Sequence, residues 1–460
     1  MTMNISRRTF LRAAAGIGLS AAAHPWPLGA ETRSKVREFR LRAAPGHAPL
    51  LGAGHPQTAV WAYSGQVPGP EIRVRQGDRV RIQVENRLPE ETTVHWHGIR
   101  VPNAMDGVPY LTQKPIARGA TFRYEFDVPD AGSYWYHPHF RSYEQAGRGL
   151  YGLLIVEERD PVPFDRDIAW LLGDWRLDRE AQIVDDFDNR MDAGMAGRIG
   201  NLVTINGRSA APLRVRAGER VRLRLYNSAN ARIFGLVFRG HRPLVIAIDG
   251  QPVEPHAPAN GRIILGPAMR VDLMLDMTGA PGERFAVRDT FYPMRAYSVG
   301  EIVYADEPPR RQRPPGPPPR LPPNPIPEPA VEKAERHTIA FGGGMMGGAD
   351  GGGIWTVNGK SASGHAHEPF LRLKRGKSYV LAMHNNTAWH HPIHLHGYTF
   401  RVMARNGRPT RFREWQDTVF MDPDEKVEIA FVADNPGDWM IHCHILEHMQ
   451  TGLMGVIRVS

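Results

Sequence analysis

Three segments of the chain share one pattern of alternating apolar and polar residues. Each has an alternating run, a turn at Gly77, Gly218 or Gly376, and a second alternating run that closes on asparagine. Strand side chains point alternately to opposite faces, so this period-two pattern predicts half-buried strands, and the short turn predicts a hairpin. The segments are PEIRVRQGDRVRIQVEN (70–86), PLRVRAGERVRLRLYN (212–227) and FLRLKRGKSYVLAMHN (370–385).

The spacing of these segments predicts three homologous domains. Similar lead-ins, YSGQVPG, INGRSAA and VNGKSAS, precede them. Copies about a domain apart favour three β-sandwiches, since a solenoid would need a much shorter period. The 47 glycines and 40 prolines between short apolar runs also favour an all-β fold. We expect domains at residues 33–158, 159–306 and 331–460.

Two segments between and within these domains have compositions that exclude regular structure. Residues 307–330, which begin EPPRRQRPPGPPPR, predict an extended polyproline linker, with a proline-rich docking ligand as the alternative. FGGGMMGGADGGG (341–353) predicts a flexible loop.

Residues 1–30 are typical of an export signal. SRRTFLR (6–12) precedes an alanine-rich apolar stretch that is too short to span a membrane. Adjacent arginines before Phe-Leu favour a twin-arginine signal, cleaved near Ala30. We therefore expect the twin-arginine machinery as a partner and the periplasm as the location.

The charge of the chain does not indicate a nucleic-acid partner. Removing the signal's three arginines from the net charge of +9 leaves +6. No run alternates basic and aromatic residues, so we expect no nucleic-acid partner.

Four His-x-His pairs are the strongest chemical signal. Residues two apart in a strand share a face, so each pair offers two imidazoles to one side. HWHGI parallels HLHGY, and PDAGSYWYHPH parallels NPGDWMIHCH, whereas the middle domain has ARIFG (231–235) and no pair. We therefore expect eight imidazoles from domains one and three to meet and share three metals, with copper or zinc as the candidates. The pairs are His95 and His97, His137 and His139, His394 and His396, and His442 and His444.

The only cysteine, Cys443, lies between His442 and His444. A lone cysteine is ordinarily a buried structural residue. However, His391 is an odd number of positions from His394 and can face the side of Cys443, and His448 follows five positions later. Two imidazoles and one thiolate form the trigonal set of a blue-copper centre. We therefore expect Cys443 to be a metal ligand.

These motifs together resemble those of the multicopper oxidases, particularly the three-domain bacterial laccase and copper-efflux oxidase type. The resemblance covers nearly the whole mature chain and implies three cupredoxin-like Greek-key β-sandwich domains with four copper ions. It implies a type 1 copper held by His391, Cys443 and His448, and a type 2 copper held by His95 and His394. It implies a type 3 pair held by His97, His137, His139, His396, His442 and His444.

The resemblance also implies an activity. A reducing substrate would give single electrons to the type 1 copper, and Cys443, His442 and His444 would pass them to the cluster, where four electrons reduce O2 to two waters. Asp106, in HWHGIRVPNAMDG, matches the acidic residue near the cluster in bacterial members. A turn-forming aspartate before Gly107 is the alternative role.

Two positions depart from the family pattern. Copper-efflux oxidases have an axial methionine ten positions after the cysteine, where this chain has Leu453. In an extended segment Met454 would face away from copper, so we expect Leu453 as a non-ligand and a raised potential; a one-residue shift bringing Met454 in is the alternative. Bacterial relatives also often have an acid after the last histidine, where this chain has Met449.

The electron donor is open at this stage. We place phenols and aromatic amines ahead of Cu(I). The possible soft ligands for Cu(I) are four methionines, Met191, Met195, Met345 and Met346, and methionines also commonly serve only to fill loops and cores. A non-catalytic scaffold or copper store would not need every ligand position filled or the Cys-to-His connection. A copper nitrite reductase is disfavoured because it has two domains rather than three. Zinc in the histidine cluster is disfavoured because zinc has no redox chemistry in which Cys443 could take part.

Overall fold

The structure is a computed structural model that describes residues 36–209, 212–313, 316–345, 354–362 and 368–460. The described chain consists mostly of strands in three successive domains, each with two sheets facing one apolar core. The expected all-β architecture of three cupredoxin-like sandwiches is confirmed. The proposed signal at 1–30, and Met346, lie outside the described residues.

The first domain has two four-stranded sheets, with strand orders β2-β1-β4-β6 and β3-β8-β7-β5. A short helix, α1 (Ser142–Gln145), and a 3-10 turn, Asn103–Met105, lie outside the sheets. The strands are β1 (Val36–Ala48), β2 (Thr58–Tyr63), β3 (Gly69–Arg75), β4 (Arg79–Asn86), β5 (His95–His97), β6 (Thr121–Asp127), β7 (Gly132–His137) and β8 (Gly152–Glu157).

The second domain has a six-stranded sheet, β10-β9-β12-β17-β14-β15, and a five-stranded sheet, β11-β19-β18-β13-β16. Its helix is α2 (Arg190–Gly194), with a 3-10 turn at Ala259–Gly261. The strands are β9 (Arg166–Trp175), β10 (Leu202–Ile205), β11 (Leu213–Val215), β12 (Arg220–Asn227), β13 (Phe234–Phe238), β14 (Leu244–Ile248), β15 (Gln251–His256), β16 (Ile263–Leu265), β17 (Arg270–Asp276), β18 (Arg284–Asp289) and β19 (Tyr297–Tyr304).

The third domain has a seven-stranded sheet, β21-β20-β23-β29-β25-β26 with β27 on β25, and a five-stranded sheet, β22-β31-β30-β24-β28. A 3-10 turn, Val331–Lys333, precedes it, and α3 (Leu446–Gln450) lies between its last two strands. The strands are β20 (Glu335–Gly343), β21 (Trp355–Val357), β22 (Leu371–Leu373), β23 (Ser378–Asn385), β24 (His391–Leu395), β25 (Phe400–Arg405), β26 (Arg408–Pro409), β27 (Trp415–Gln416), β28 (Thr418–Met421), β29 (Lys426–Val432), β30 (Gly437–Cys443) and β31 (Met454–Val459).

The prediction that each repeated segment forms a hairpin is wrong. β3 pairs with β8, whereas β4 pairs with β1 and β6 in the opposite sheet. The same separation divides β11 from β12 and β22 from β23. The glycine turn is therefore an arch between sheets, and the apolar residues of both arms face one core from opposite sides. Alternation alone does not distinguish this arrangement from a hairpin, because both bury every second residue.

The asparagines that close the three segments have equivalent roles. Asn86, Asn227 and Asn385 are each buried, and each Nδ2 donates to two backbone carbonyl oxygens. Each Oδ1 accepts from the backbone N–H two residues later. This repeated network supports the common origin that the sequence pattern indicated.

The proline-rich segment has no strand or helix over its described residues 307–313 and 316–330, and its side chains fasten it to the sandwiches. Asn324 exchanges two hydrogen bonds of 2.8 Å with the backbone of Ala131 and donates to Gln251. Arg401 forms an ion pair with Glu328. The glycine-rich stretch differs slightly from expectation, because residues 341–343 belong to β20.

Candidate metal centre

Two matching pairs of strands bring the histidines of the first and third domains together. In the first domain β5 pairs with β7, and His95 lies opposite His137. In the third domain β24 pairs with β30, and His394 lies opposite His442. Residues opposite each other in a sheet share a face, so each strand pair presents its imidazoles on one side.

Eight buried imidazoles from these strands and the residues that follow them form one continuous cluster. Nε2 of His396 lies 3.0 Å from Nε2 of His442, and Nε2 of His137 lies 3.4 Å from Nε2 of His444. Within each of three triads, two of which share His97, the nitrogens lie within 4.8 Å of one another, which allows one ion to bind all three members. The triads are His95, His97 and His394; His97, His137 and His444; and His139, His396 and His442.

The unpaired nitrogens of this cluster fit metal coordination. Five of its buried ring nitrogens have no hydrogen-bond partner among the described residues, although an unsatisfied buried polar atom is costly. A metal ion would satisfy them, and an all-imidazole set suits copper. These atoms are Nε2 of His95, His139 and His394, and Nδ1 of His97 and His444.

The opposite ring nitrogens of His95, His394 and His97, and Nδ1 of His396, are held by hydrogen bonds to protein oxygens. Nδ1 of His95 and of His394 donate 2.8 Å hydrogen bonds to the backbone oxygens of Asp106 and Asp417. Nδ1 of His396 donates to Asp106 Oδ2 at 2.9 Å. Such bonds set the ring orientation and leave Nε2 for a metal. His97 is reversed: its Nε2 contacts Asp417 Oδ1 at 3.1 Å, so Nδ1 faces the cluster.

A second set lies on the other face of β30. Cys443 Sγ is 3.4 Å from Nδ1 of His391 and 3.7 Å from Nδ1 of His448, and the two nitrogens are 3.2 Å apart. Metal bonds of about 2.0–2.3 Å to nitrogen and sulfur would place trigonal ligands at similar separations. Nε2 of His391 contacts Thr387 Oγ1 at 2.9 Å, and Nε2 of His448 donates to Met195 O at 2.8 Å. The structure thus brings together the predicted thiolate and two imidazoles.

Leu453, not Met454, shares the environment of the cysteine. Leu453 is fully buried in the same apolar core as Cys443, and its backbone oxygen accepts from Cys443 N at 3.0 Å. Met454 lies opposite His442 in the sheet and packs in a different cluster, with Met440 and Leu446.

Burial sets the protonation of both sites. It lowers the pKa of His442 and of His448 to about 3, so both imidazoles are neutral at neutral pH and keep a lone pair for a metal. Burial also lowers the pKa of His391 well below its ordinary value, and raises that of the Cys443 thiol. A metal must therefore displace the thiol proton when it binds.

Asp106 lies directly at the histidine cluster. Its side chain is fully buried, Oδ2 contacts His396, and Oδ1 lies 3.2 Å from Nδ1 of His95. Oδ1 has no hydrogen-bond partner among the described residues. The aspartate thus contacts two histidines of the cluster and also caps the 3-10 turn Asn103–Met105.

Sequence reasoning missed a buried charge group beside the cluster. Arg270, from the second domain, donates to both carboxylate oxygens of Asp417. Burial would raise the pKa of Asp417, but Arg270 and His394 lower it below its ordinary value. Burial and the charge of Asp417 raise the pKa of Asp249 above its ordinary value. The sequence has two faint signals for these groups. Asp417 begins a DTV tripeptide two residues after a tryptophan, and Arg270 begins a segment, RVDLMLD, in which polar and apolar residues nearly alternate.

Helix α2 of the second domain covers the thiolate site, which we define as His391, Cys443 and His448. Trp355 donates from Nε1 to Ala193 O at 2.6 Å, and its ring lies 4.2 Å from that of His448. Met345 lies against Gly194 and donates from its backbone N to Gly194 O at 3.0 Å. The sulfur-bearing side chains at this cover are exposed: Met191 53%, Met195 38% and Met345 53%.

No helix within the described ranges is both long and apolar enough to cross a membrane.

Three family models described as multicopper oxidase match the chain, at residues 47–161, 166–300 and 336–460. The multicopper oxidase MmcO of Mycobacterium tuberculosis is 30% identical in an alignment 502 residues long, gaps included, which covers 97% of this chain and 95% of that protein. A multi-copper oxidase structure from Pseudomonas parafulva has 40% identity and a TM-score of 0.82, and covers 92% of this chain and 100% of its own. One from Pseudomonas thermotolerans has 36% identity and a TM-score of 0.84, with coverage of 93% and 100%.

Proposed function

Because this chain belongs to the multicopper oxidase family, we propose that it oxidises a small reducing substrate and passes the electrons to O2, which is reduced to water. One observation carries the proposal. Cys443 faces His391 and His448, while its covalent neighbours His442 and His444 belong to the eight-imidazole cluster. A donor site and an O2 site are thus joined by single peptide bonds. A copper store or an inert scaffold would have no need of that connection.

We assign four copper ions to these residues. The type 1 ion would bind His391, Cys443 and His448, and the type 2 ion His95 and His394. The type 3 pair would bind the two remaining triads, which are His97, His137 and His444, and His139, His396 and His442. The unpaired nitrogens described above support this assignment.

The chain's own residues organise the reaction around these ions. Copper, when bound, would supply the one-electron redox chemistry. Cys443, His442 and His444 provide the covalent route by which four successive electrons reach the cluster. O2 reduction to two waters would also consume four protons. The Asp106 carboxylate, whose Oδ2 accepts from Nδ1 of His396 at 2.9 Å, would relay them by taking up one proton at a time from water and passing it to the cluster. All these groups are buried, which limits the contact of the cluster with bulk water.

Leu453→Met tests the axial position. The added thioether would approach the thiolate site from the core that Leu453 shares with Cys443, and we expect the type 1 reduction potential to fall. Redox titration of the blue absorption measures it.

Met454→Leu is the matched control for this prediction. Met454 packs away from Cys443, so the control should keep the wild-type potential. A shifted potential in Met454→Leu and none in Leu453→Met would identify Met454 as the axial ligand instead.

A small organic reductant, a phenol or an aromatic amine, is the first candidate donor. Such a donor needs only close approach to His448, and the imidazole lies one backbone layer beneath Met195, at 2.8 Å from its carbonyl oxygen. The exposure of Met195 shows that this layer is at the surface.

Cu(I) is the second candidate, and a specific observation favours it. The three exposed methionines Met191, Met195 and Met345 lie on or against helix α2, which covers His448. Thioethers are soft ligands that prefer Cu(I), and large apolar side chains are seldom exposed together without a function.

Oxygen uptake by the copper-loaded protein, with a phenol and with Cu(I) in parallel, tests the proposal. We expect strong blue absorption and uptake with at least one donor. Blue protein that consumes no O2 with either would support a copper-binding role and contradict the oxidase. The ratio of the two rates decides the donor class.

Replacing Met191 and Met345 by leucine tests the methionine cover. Leucine keeps the volume and removes the sulfur. If Cu(I) is the donor, we expect Cu(I)-dependent uptake to fall several-fold while phenol-dependent uptake stays at the wild-type rate. Met294→Leu, at a fully exposed methionine outside this cover, is the control. Equal losses with both donors would exclude a Cu(I) site here.

We further propose export by the twin-arginine route to the periplasm, on the strength of the arginine pair and the apolar stretch in residues 1–30. Fusion of residues 1–30 to a reporter protein, with Arg7 and Arg8 replaced by lysine as the control, tests this route.

A further inference from the structure

A cation from the second domain reaches the proposed trinuclear site, which is the histidine cluster that would hold the type 2 ion and the type 3 pair. The second domain supplies none of the assigned ligands. Arg270, the first residue of β17, is fully buried, and its Nη1 donates to Asp417 Oδ1 at 2.8 Å. The same oxygen lies 3.1 Å from Nε2 of His97, and the backbone oxygen of Asp417 accepts from Nδ1 of His394 at 2.8 Å. One aspartate thus contacts a histidine of the first domain and one of the third.

A hairpin tip of the second domain holds the backbone of this aspartate. Asp249 and Gly250, with φ of +48° and +78°, form the two-residue turn between β14 and β15, where Asp-Gly is favoured. Asp249 Oδ2 accepts from Thr418 N at 3.0 Å and from Asp417 N at 3.3 Å. The tip therefore holds the backbone at the start of β28.

The same tip contacts the histidine-bearing strand of the first domain. A Cβ atom on Gly132 would lie 2.3 Å from Gly250 O, so the two backbones touch where only glycine fits. Arg270 also donates from Nε to Ser133 O at 3.0 Å, and Ser133 belongs to β7, which ends at His137. Arg270 and the tip thus join β7 and β28 across three domains.

The ring orientation of His97 depends on this arrangement. Its Nε2 lies 3.1 Å from both Asp417 Oδ1 and Thr418 Oγ1, and the Thr418 hydroxyl itself donates to Asp417 Oδ1 at 2.8 Å, so both acceptors depend on the position of this carboxylate. A neutral imidazole that donates from Nε2 keeps its lone pair on Nδ1. Nδ1 of His97 is the nitrogen that faces the cluster without a partner among the described residues. A buried carboxylate keeps one position only when its charge is paired, and Arg270 supplies that charge in a two-pronged geometry.

We infer that Arg270 and Asp249 are positioning residues for the trinuclear site, which hold Asp417 so that His97 presents Nδ1, and His394 presents Nε2, to copper. The inference rests on the proposed function, because it assumes copper at these imidazoles. It gives the second domain a part in O2 reduction without a ligand of its own.

Arg270→Gln in the copper-loaded protein tests this inference. Loss of the groups that orient metal ligands typically weakens metal affinity or activity about 10- to 100-fold. We expect a loss of that size in the retention of trinuclear copper against a chelator, and an altered type 2 electron paramagnetic resonance signal. The blue absorption should remain at the wild-type value, because the hydrogen bonds of Arg270 do not reach the thiolate site.

Arg222→Gln is the matched control. Arg222 is also a buried arginine of the second domain, and it donates from Nε and Nη2 to one oxygen of Asp272, at 3.0 and 2.7 Å. Its hydrogen bonds reach Asp272 and Glu158 and no histidine of the cluster. We expect this control to keep its copper and its type 2 signal, even where thermal stability falls.

Arg270→Lys keeps the charge and loses the two-pronged contact, so we expect copper retention between the wild type and Arg270→Gln. It also serves where the glutamine variant does not fold. A wild-type type 2 signal in whichever of these variants folds would overturn the inference. So would equal copper loss in Arg270→Gln and Arg222→Gln, which would indicate general destabilisation. A wild-type protein with no type 2 signal would instead contradict the proposed function.

Discussion

Copper-loaded Cys443→Ser will have no blue absorption, and its O2 uptake will fall to the level of the copper-free protein. In the proposed type 1 site Cys443 supplies the thiolate, its Sγ lies 3.4 Å from His391 Nδ1, and a serine hydroxyl does not replace a thiolate toward copper. The backbone link from His442 to His444 remains in the variant, but the donor end of the route is lost. A visible spectrum and an oxygen electrode measure both effects.

Two further measurements make this prediction specific. The histidine cluster does not include Cys443, so the variant should keep its trinuclear copper and type 2 signal. Ile445→Val is the matched control, because Ile445 donates its backbone N–H to the sulfur at 3.3 Å and its side chain is equally buried. Loss of one methyl there costs about 0.5–1.5 kcal/mol and should leave the colour intact. Oxidase activity that persists in Cys443→Ser would refute the assignment of this site.

Asp106→Asn should reduce steady-state O2 uptake roughly 100- to 10,000-fold, the range of a lost general acid–base group. Asparagine keeps the shape and an acceptor for Nδ1 of His396, so the ring can hold its orientation, but the amide cannot deliver a proton. The loss should therefore affect the reduction of O2 and not the oxidation of the donor. Stopped-flow bleaching by the donor under argon should match the wild type, and recovery of the blue colour on mixing with O2 should be slow.

Asp130→Asn is the control for this prediction. Asp130 is also a buried acid of the first domain, but its carboxylate pairs with Arg100 rather than a histidine. Equal loss of O2 uptake in both variants, or slow bleaching in Asp106→Asn, would show that Asp106 acts through the fold and not through proton delivery.

The histidines could be predicted from the sequence because local geometry places them. Parity along a strand is independent of the rest of the fold, so His442 and His444 on one side and Cys443 on the other follow from HCH alone. The register between strands does not, yet the repeat of HWHG and HLHG in two domains indicated that equivalent strands would meet. The structure pairs those strands at the same positions.

Long-range contacts account for what the sequence did not predict. The alternation in RVRLRLYN (220–227) predicts a strand with one solvated face, but all eight residues are buried. The arginine face of β12 is covered by acids, as where Arg222 meets Glu158 and Arg224 meets Asp167. Arg270 carries the same local signal and was overlooked for the same reason, since its partner Asp417 is 147 residues away. The hairpin error is similar, because the choice of sheet depends on partners elsewhere in the chain.

The complete burial of the only cysteine makes the chain a reporter of its own unfolding. A thiol reagent reaches Cys443 only when the last strands of the third domain open, and burial has already suppressed the reactive thiolate. With no second thiol in 460 residues, the labelling reaction counts a single opening event with no background to subtract. The labelling rate of copper-free protein therefore reports how often this region opens, and its suppression by added copper gives a measure of metal binding that needs no colour and no turnover.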